Sequence, residues 1–412
     1  MRPLRLLPLL SLPIISLWLG WFAPVKAADV ARDVARDVAP SIACPAPVAA
    51  DAPPLELTQS SPYLPLLRRS WVAYRDRFIK PEGYVVDYFA EDKRTTSEGQ
   101  AYAMLRAVLI NDRATFDRTL NWAEKNLDRP TDTLWAWNWQ GSIQDINFAT
   151  DADIDAATAL IFAARRWHCP VYLKLAQQKI DDLWRVAIVK ANNSHYLLPG
   201  PAEAFWQKPE ELILNPSYFS PYAYRLFAQV DPQHNWSALV TDSYNALDQI
   251  AAVSEKRLPA DWILLDTTTG RYGAIPKQRA NLRRVYSFDA YRVWWRIGLD
   301  AAWFGAPRAR AYLKQNMAYL IELWRTEKRI PAVLDLTGTP EVQYESTAQY
   351  AAIYPALKHV DTQIAFEIFT QKLLPQYKAG LWESDSAYYS QNLAWFSLLP
   401  QLPPKDLLTP KP

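Results

Sequence analysis

An all-α fold is what this sequence predicts, on three observations. From residue 61 onward, apolar residues recur at helical spacing in one segment after another. No stretch shows the sustained alternation of a central sheet, and no block of roughly 30 to 45 residues repeats itself as a helical solenoid would. The periodic segments lie near 62–79, 97–111, 113–127, 151–168, 171–190, 216–229, 235–252, 287–304, 306–326, 345–356, 361–374 and 386–399. They amount to about twelve helices in one continuous domain, joined by loops of unequal length. Two β-like runs, 83–87 and 261–265, stand apart from this pattern.

Half of the 412 residues are hydrophobic, with Trp 18 and Tyr 22, which fills a large core and leaves aromatics over for flat apolar surfaces. A net charge of +2 argues against nucleic acid as the main partner. Gly 11 is low and Pro 32 is high, with the prolines crowded toward the N-terminal part and the tail, so helices separated by rigid connections are expected. Cys44 and Cys169 lack metal-ligand spacing. His168, His195, His234 and His359 are scattered, so neither zinc nor iron is expected. Without a glycine-rich phosphate-binding string, no nucleotide and no other cofactor is expected either.

Residues 1–27 read as a targeting segment. Arg2 and Arg5 precede the nearly continuous apolar run 6–23, and Val25-Lys26-Ala27 offers small residues for cleavage. The run approaches membrane-spanning length, so an uncleaved N-terminal anchor is the second reading. Residues 28–60 read as an extended linker, with a Val-Ala-Arg-Asp repeat followed by Pro40, Pro45, Pro47, Pro53 and Pro54. The folded domain is expected over 61–405 and outside the cytoplasm, either periplasmic or secreted.

Three stretches place carboxylates at helix starts. In 95–104, Ser97 and Gln100 have capping-box spacing, and Ala101, Met104, Leu105 and Val108 form an apolar face. Glu98 then falls in the first turn, with Gly99 beside it, where an ordinary glutamate would compensate the helix dipole. In 149–160, Asp151 reads as an N-cap, but Asp151, Asp153 and Asp155 are more carboxylates than a cap requires. In 286–296, Asp289 precedes Arg292 by one helical turn, as a local ion pair would.

The string Thr-Thr-Ser-Glu-Gly-Gln-Ala-Tyr-Ala-Met at 95–104 resembles the motif that carries the catalytic acid in glycoside hydrolase family eight, which includes bacterial cellulases. Ala-Thr-Asp-Ala-Asp at 149–153 is similar to that family's second signature, which extends to an aromatic, here Trp167. Ala156 departs from the family's Ile or Met, a difference that touches packing. Asp-Ala-Tyr-Arg at 289–292 is similar to its Asp-Ala-x-Arg motif, and Asn215-Pro216-Ser217-Tyr218 to its Asn-Pro-Ser-Tyr segment. The likeness spans most of 61–400 and extends to the cellulases that accompany bacterial cellulose synthesis and to their exported relatives.

This resemblance implies an (α/α)6 double ring of six inner and six outer helices, in agreement with the periodic segments. Inner helices of such a ring share a direction, which would gather Glu98, Asp151 and Asp289 at one end. It also implies inversion at the anomeric carbon, with Glu98 as acid, Asp289 as base and Asp151 holding the distorted sugar ring. Arg292 would keep Asp289 ionised. A helix N-terminus favours the anion, so Glu98 would need burial or a nearby carboxylate such as Asp151 to keep its proton. One or two of Trp135, Trp137 and Trp139 would stack on sugar rings, with Tyr218 as a further ring contact. Branches of the family that act on chitosan take their base from elsewhere, so Asp289 favours glucans and xylans. The expectation is an inverting endo-β-1,4-glucanase. A xylanase or mixed-linkage glucanase would use the same acids. A glucan-binding accessory of cellulose secretion is the third reading, disfavoured by the intact acids. The expected partner is a β-glucan chain and the expected state a monomer, with membrane anchoring and association with the cellulose synthesis machinery left open.

Overall fold

Residues 63–206, 208–279, 281–399 and 405–409 are described by a computed structural model. The targeting segment and linker expected over 1–60 lie outside them. Among the described residues no helix is long and apolar enough to cross a membrane.

The helices in chain order are α1 (Leu64–Phe78), α2 (Ser97–Ile110), α3 (Arg113–Asn126), α4 (Thr150–Trp167), α5 (Pro170–Ala187), the short α6 (Ala202–Phe205), α7 (Pro221–Val230) and α8 (Trp236–Val253). They continue with α9 (Tyr291–Trp303), α10 (Pro307–Asn316), α11 (Ala318–Glu327), α12 (Thr347–Leu357), α13 (Thr362–Ile368), α14 (Tyr388–Ser397) and α15 (Lys405–Leu408). Their burial sorts them into two layers. Helices α2, α4, α9 and α12 bury residues all the way round, as elements enclosed on every side must. Helix α5, by contrast, buries a stripe at Tyr172, Ala176, Ile180 and Leu183, one face of a 3.6-residue period.

The enclosed helices close a ring in the order α2, α4, α7, α9, α12, α14 and back to α2. Around it α3, α5, α8, α10 and α13 each pack on the inner helix that precedes them, and α1 packs on α14. The architecture is therefore the (α/α)6 double ring. Alanines 101, 103 and 107 on α2, and 152, 156, 157 and 159 on α4, are wholly buried. Such small side chains allow the two helices to approach closely.

Several boundaries differ from the periodicity. The segment expected over 216–229 splits into a 3₁₀ turn at Pro216–Tyr218 and helix α7, because Pro221 opens a new first turn. The segment at 306–326 breaks at Met317. There the buried Asn316 donates to the carbonyl of Tyr312 and accepts from Arg257 at 2.6 Å, competing with continued helix. Past Ile368 the chain widens into a π-helical turn, Phe369–Leu373. The β-like run 83–87 makes only an isolated bridge, Ile79 with Val85. The run 261–265 yields the middle strand, Ile263–Asp266, of an antiparallel sheet with Glu211–Leu214 and Arg271–Ala274. A hairpin of Ile188–Ala191 and Ser194–Leu197 turns at Asn192-Asn193, both with positive φ, a pair of residues that suits such a turn.

Two capping expectations are corrected. Thr96, not Ser97, caps α2, its hydroxyl accepting from Gly99 N at 3.1 Å. Gln100 reaches away, accepting from Val85 N at 2.6 Å and donating to the carbonyls of Gly83 and Thr119. Helix α4 is entered at Ala149 without a side-chain cap, which leaves Asp151 in its first turn with other partners.

Candidate active site

Four inner helices bring their N-terminal ends together. Helix α2 carries Glu98, α4 carries Asp151, α9 carries Arg292 with Asp289 in the turn just before it, and α14 carries Tyr388 and Tyr389. Arg292 is the hub. Its Nη1 donates to Glu98 Oε2 and to Asp151 Oδ2, both at 2.6 Å, and its Nη2 donates to Asp289 Oδ1 at 2.7 Å. Tyr388 donates its hydroxyl to the other oxygen of Glu98 at 2.7 Å. The expected pair Asp289–Arg292 is thus one spoke of a three-carboxyl cluster on a single guanidinium.

Exposure within the cluster is uneven. The side chains of Asp151 and Arg292 are each 3% exposed, whereas those of Glu98 and Asp289 are 19% and 24% exposed. Glu98 and Asp289 therefore face solvent and Asp151 lies beneath. Arg292, even with Arg296 acting on Asp151 and Arg283 on Asp289, does not offset the burial of three carboxylates, so proton affinity rises across the group. Burial pushes Glu98 up to about 7, with Arg292 opposing the rise and Asp151 adding to it. Burial also raises Asp151 and Asp289, again against Arg292.

The three aspartates of α4 do three different things. Asp151 faces the cluster. Asp153 accepts from Trp135 N at 3.1 Å, pinning the segment that leads to the tryptophan run. Asp155 receives both Nη groups of Arg296 at 2.9 Å, one turn below Arg292, and the hydroxyl of Tyr222 at 3.1 Å. Replacing Arg296 by Met is expected to strand a buried charge on Asp155 and destabilise the fold by about 3–5 kcal/mol. A urea titration reads this as a lowered midpoint with unchanged slope.

The aromatics divide likewise. Trp135 is 1% exposed and donates its indole N–H to Glu124 at 2.8 Å, so it is a core residue and not a platform for sugar. Trp137 and Trp139 are half-buried, and Trp139 packs against Tyr84 and Trp122 with centroids 5.5 and 5.0 Å apart. Their segment runs beside Glu98. Strand β1 (Thr95–Thr96) pairs with β2 (Asn138–Trp139), which pairs in turn with β3 (Ile143–Asp145), and Ser97 N donates to the carbonyl of Trp137. Tyr218 is buried with its ring centroid 5.2 Å from the Arg292 guanidinium carbon, which places it against the cluster.

Sequence reasoning did not single out Tyr388, Tyr389, Arg296 or Tyr222. The tyrosine pair opens a periodic segment whose first turn, in a double ring, points to the same end as Glu98. That placement was the available signal.

The model for Glycosyl hydrolases family 8 matches residues 58–401. An endoglucanase from Xanthomonas axonopodis pv. citri is 36% identical over 258 residues, 60% of this chain and 63% of that relative's length. The structure of an endo-1,4-D-glucanase from Vibrio fischeri matches with a TM-score of 0.67 at 26% identity, covering 80% of this chain and 93% of that one. An endo-β-1,4-glucanase from Acetobacter xylinum matches with a TM-score of 0.65 at 25% identity, covering 81% and 97% respectively.

Proposed function

The chain belongs to glycosyl hydrolases family 8, and from that premise we propose that it is an inverting endo-β-1,4-glucanase, with Glu98 as general acid and Asp289 as general base. The observation that carries this reading is the single guanidinium joining Glu98, Asp151 and Asp289. Glycoside hydrolysis needs a proton on the leaving oxygen and a base for the attacking water, both supplied by carboxyl groups. Glu98, up near 7, keeps its proton in a large fraction of molecules at neutrality and gives it to the glycosidic oxygen. Asp289, kept anionic by Arg292, takes a proton from the water that attacks the anomeric carbon from the opposite face. Glu98 and Asp289 are held by different nitrogens of the one guanidinium, and an inverting pair needs its carboxyls roughly 6.5–9.5 Å apart to leave room for a water.

Asp151, fixed by Arg292, is the carboxylate we assign to the sugar whose bond breaks. Trp137 and Trp139, next to Glu98, offer flat faces for neighbouring sugars. The basic and apolar start of the chain supports export to where polymeric glucan is found.

Reducing-end release is the direct test, with carboxymethyl cellulose, xylan and mixed-linkage glucan compared side by side. Fastest cleavage of carboxymethyl cellulose is expected. Faster cleavage of xylan would reassign the substrate on the same acids. A folded protein inert on all three would make it a glucan-binding protein instead.

A further inference from the structure

One buried carboxylate beside the cluster takes no part in the chemistry described. Asp261, 2% exposed, lies just ahead of the strand Ile263–Asp266. Its Oδ1 accepts from the backbone N–H of Ser287 and of Ala290, each at 2.9 Å, and its Oδ2 accepts from the Ser287 hydroxyl. Ser287 and Ala290 bracket Asp289, so this one carboxylate grips the turn on both sides of the proposed base. Tyr389 adds a third hold, donating to the Phe288 carbonyl at 2.7 Å.

Arg283 Nη1 donates to Ser287 Oγ at 3.2 Å, so a cation is linked to Asp261 through the serine hydroxyl. The two backbone N–H groups on Oδ1 are bonds that favour the ionised form of Asp261.

We propose that Asp261 is a positioning residue for hydrolysis, its carboxylate holding the 287–290 turn so that Asp289 meets the attacking water. The proposal rests on the reading of Asp289 as base. Arg292 alone would leave Asp289 a weak base, and a second carboxylate nearby opposes that effect. Burial, then the neighbouring Asp289, pushes Asp261 up to about 7. Asp289 faces the cations Arg292 and Arg283, the acids Glu98, Asp151 and Asp261, and Tyr218 and Tyr389. Asp261 faces Asp289 and Arg283, with Tyr286, Tyr291 and Tyr389. Within this set, protonating Asp261 weakens its hold on the turn and removes the charge that strengthens the base. The acidic limb of kcat/KM therefore reports Asp261 together with Asp289.

Asp261→Asn keeps the size and one accepting oxygen but removes the charge. The expected result is an acidic limb moved to lower pH by about one unit. It comes with kcat lower by about tenfold or more and KM within about twofold of wild type. Thermal melting checks that the variant folds. A folded Asp261→Asn enzyme with wild-type kcat and pH profile overturns the proposal. Ser287→Ala supplies an independent reading, because losing one donor makes Asp261 harder to ionise. Its acidic limb is expected to move to higher pH, and a downward or absent shift counts against the proposal. Asp289→Asn, assayed alongside, separates the two layers of argument. If it is as active as wild type, the base assignment itself fails. If it is inactive while Asp261→Asn behaves as wild type, only the role of Asp261 fails.

Discussion

Glu98→Gln is expected to lower kcat on carboxymethyl cellulose by at least about two orders of magnitude, the usual contribution of a positioned proton donor. The amide keeps the shape, its oxygen accepting from Arg292 and its NH2 turned to the Tyr388 hydroxyl oxygen, so the loss chiefly reports the proton. Wild-type activity should fall as pH rises past about 7, where Glu98 ionises, and the variant's residual activity should lack that basic limb. Stability gives a second readout with a definite sign. The Glu98 carboxyl is raised from 4.5 to about 7 in the fold, so between those values the folded state binds more proton than the unfolded chain. Wild-type stability from this group is full below about 4.5 and declines as pH rises to 7. Urea midpoints at pH 5 and pH 8 should therefore differ less in Glu98→Gln than in wild type. A variant with wild-type turnover would remove Glu98 from the mechanism.

Arg292→Lys is expected to be nearly as damaging, although it conserves charge. A lysine ammonium is a single compact point and cannot place separate nitrogens toward Glu98 and Asp289. At least one buried carboxyl then loses its partner, at a cost of about 3–5 kcal/mol if it stays ionised. Protonation of that carboxyl relieves the cost but removes the base. Either response lowers kcat, by about a hundredfold or more. The acidic limb should also move to higher pH, because Arg292 is what holds Asp289 down against burial. Steady-state kinetics across pH, with a urea titration of the same preparation, measure both effects. A lysine variant with a native pH profile would show that the fork is dispensable.

What the sequence made legible was local. Outer helices such as α5 announce themselves because a single buried stripe leaves a clean period. Asp151 stood out because three acids in five positions exceed what a cap requires, whereas Glu98 and Asp289 read locally as a dipole-compensating glutamate and an ion pair and were singled out by the motifs around them. What it hid was long-range. Spacing of three residues suggested only the pair Asp289–Arg292, yet the same guanidinium also holds Glu98, 194 residues away, and Asp151, 141 residues away. The cap of α2 was misplaced by one residue because Gln100 is drawn off by Val85, a tertiary partner that no capping rule contains. Trp135 and Trp137 are alike in sequence, and only the carboxylate of Glu124 and the grip of Asp153 turn the first into core. Asp261 sits as a lone acid in the apolar run Leu258-Pro259-Ala260-Asp261-Trp262, with no local sign that its contacts lie 26 and 29 residues on.

The central claim is that one guanidinium positions an acid and a base around a single attacking water. The anomeric configuration of the first product tests it most directly, by proton NMR during the opening minutes of cellohexaose hydrolysis. Direct attack of that water on a β-linkage predicts the α-anomer first, relaxing later to the equilibrium mixture. Initial β-anomer would mean a covalent intermediate and a nucleophilic carboxylate, and would contradict the roles given to Glu98 and Asp289.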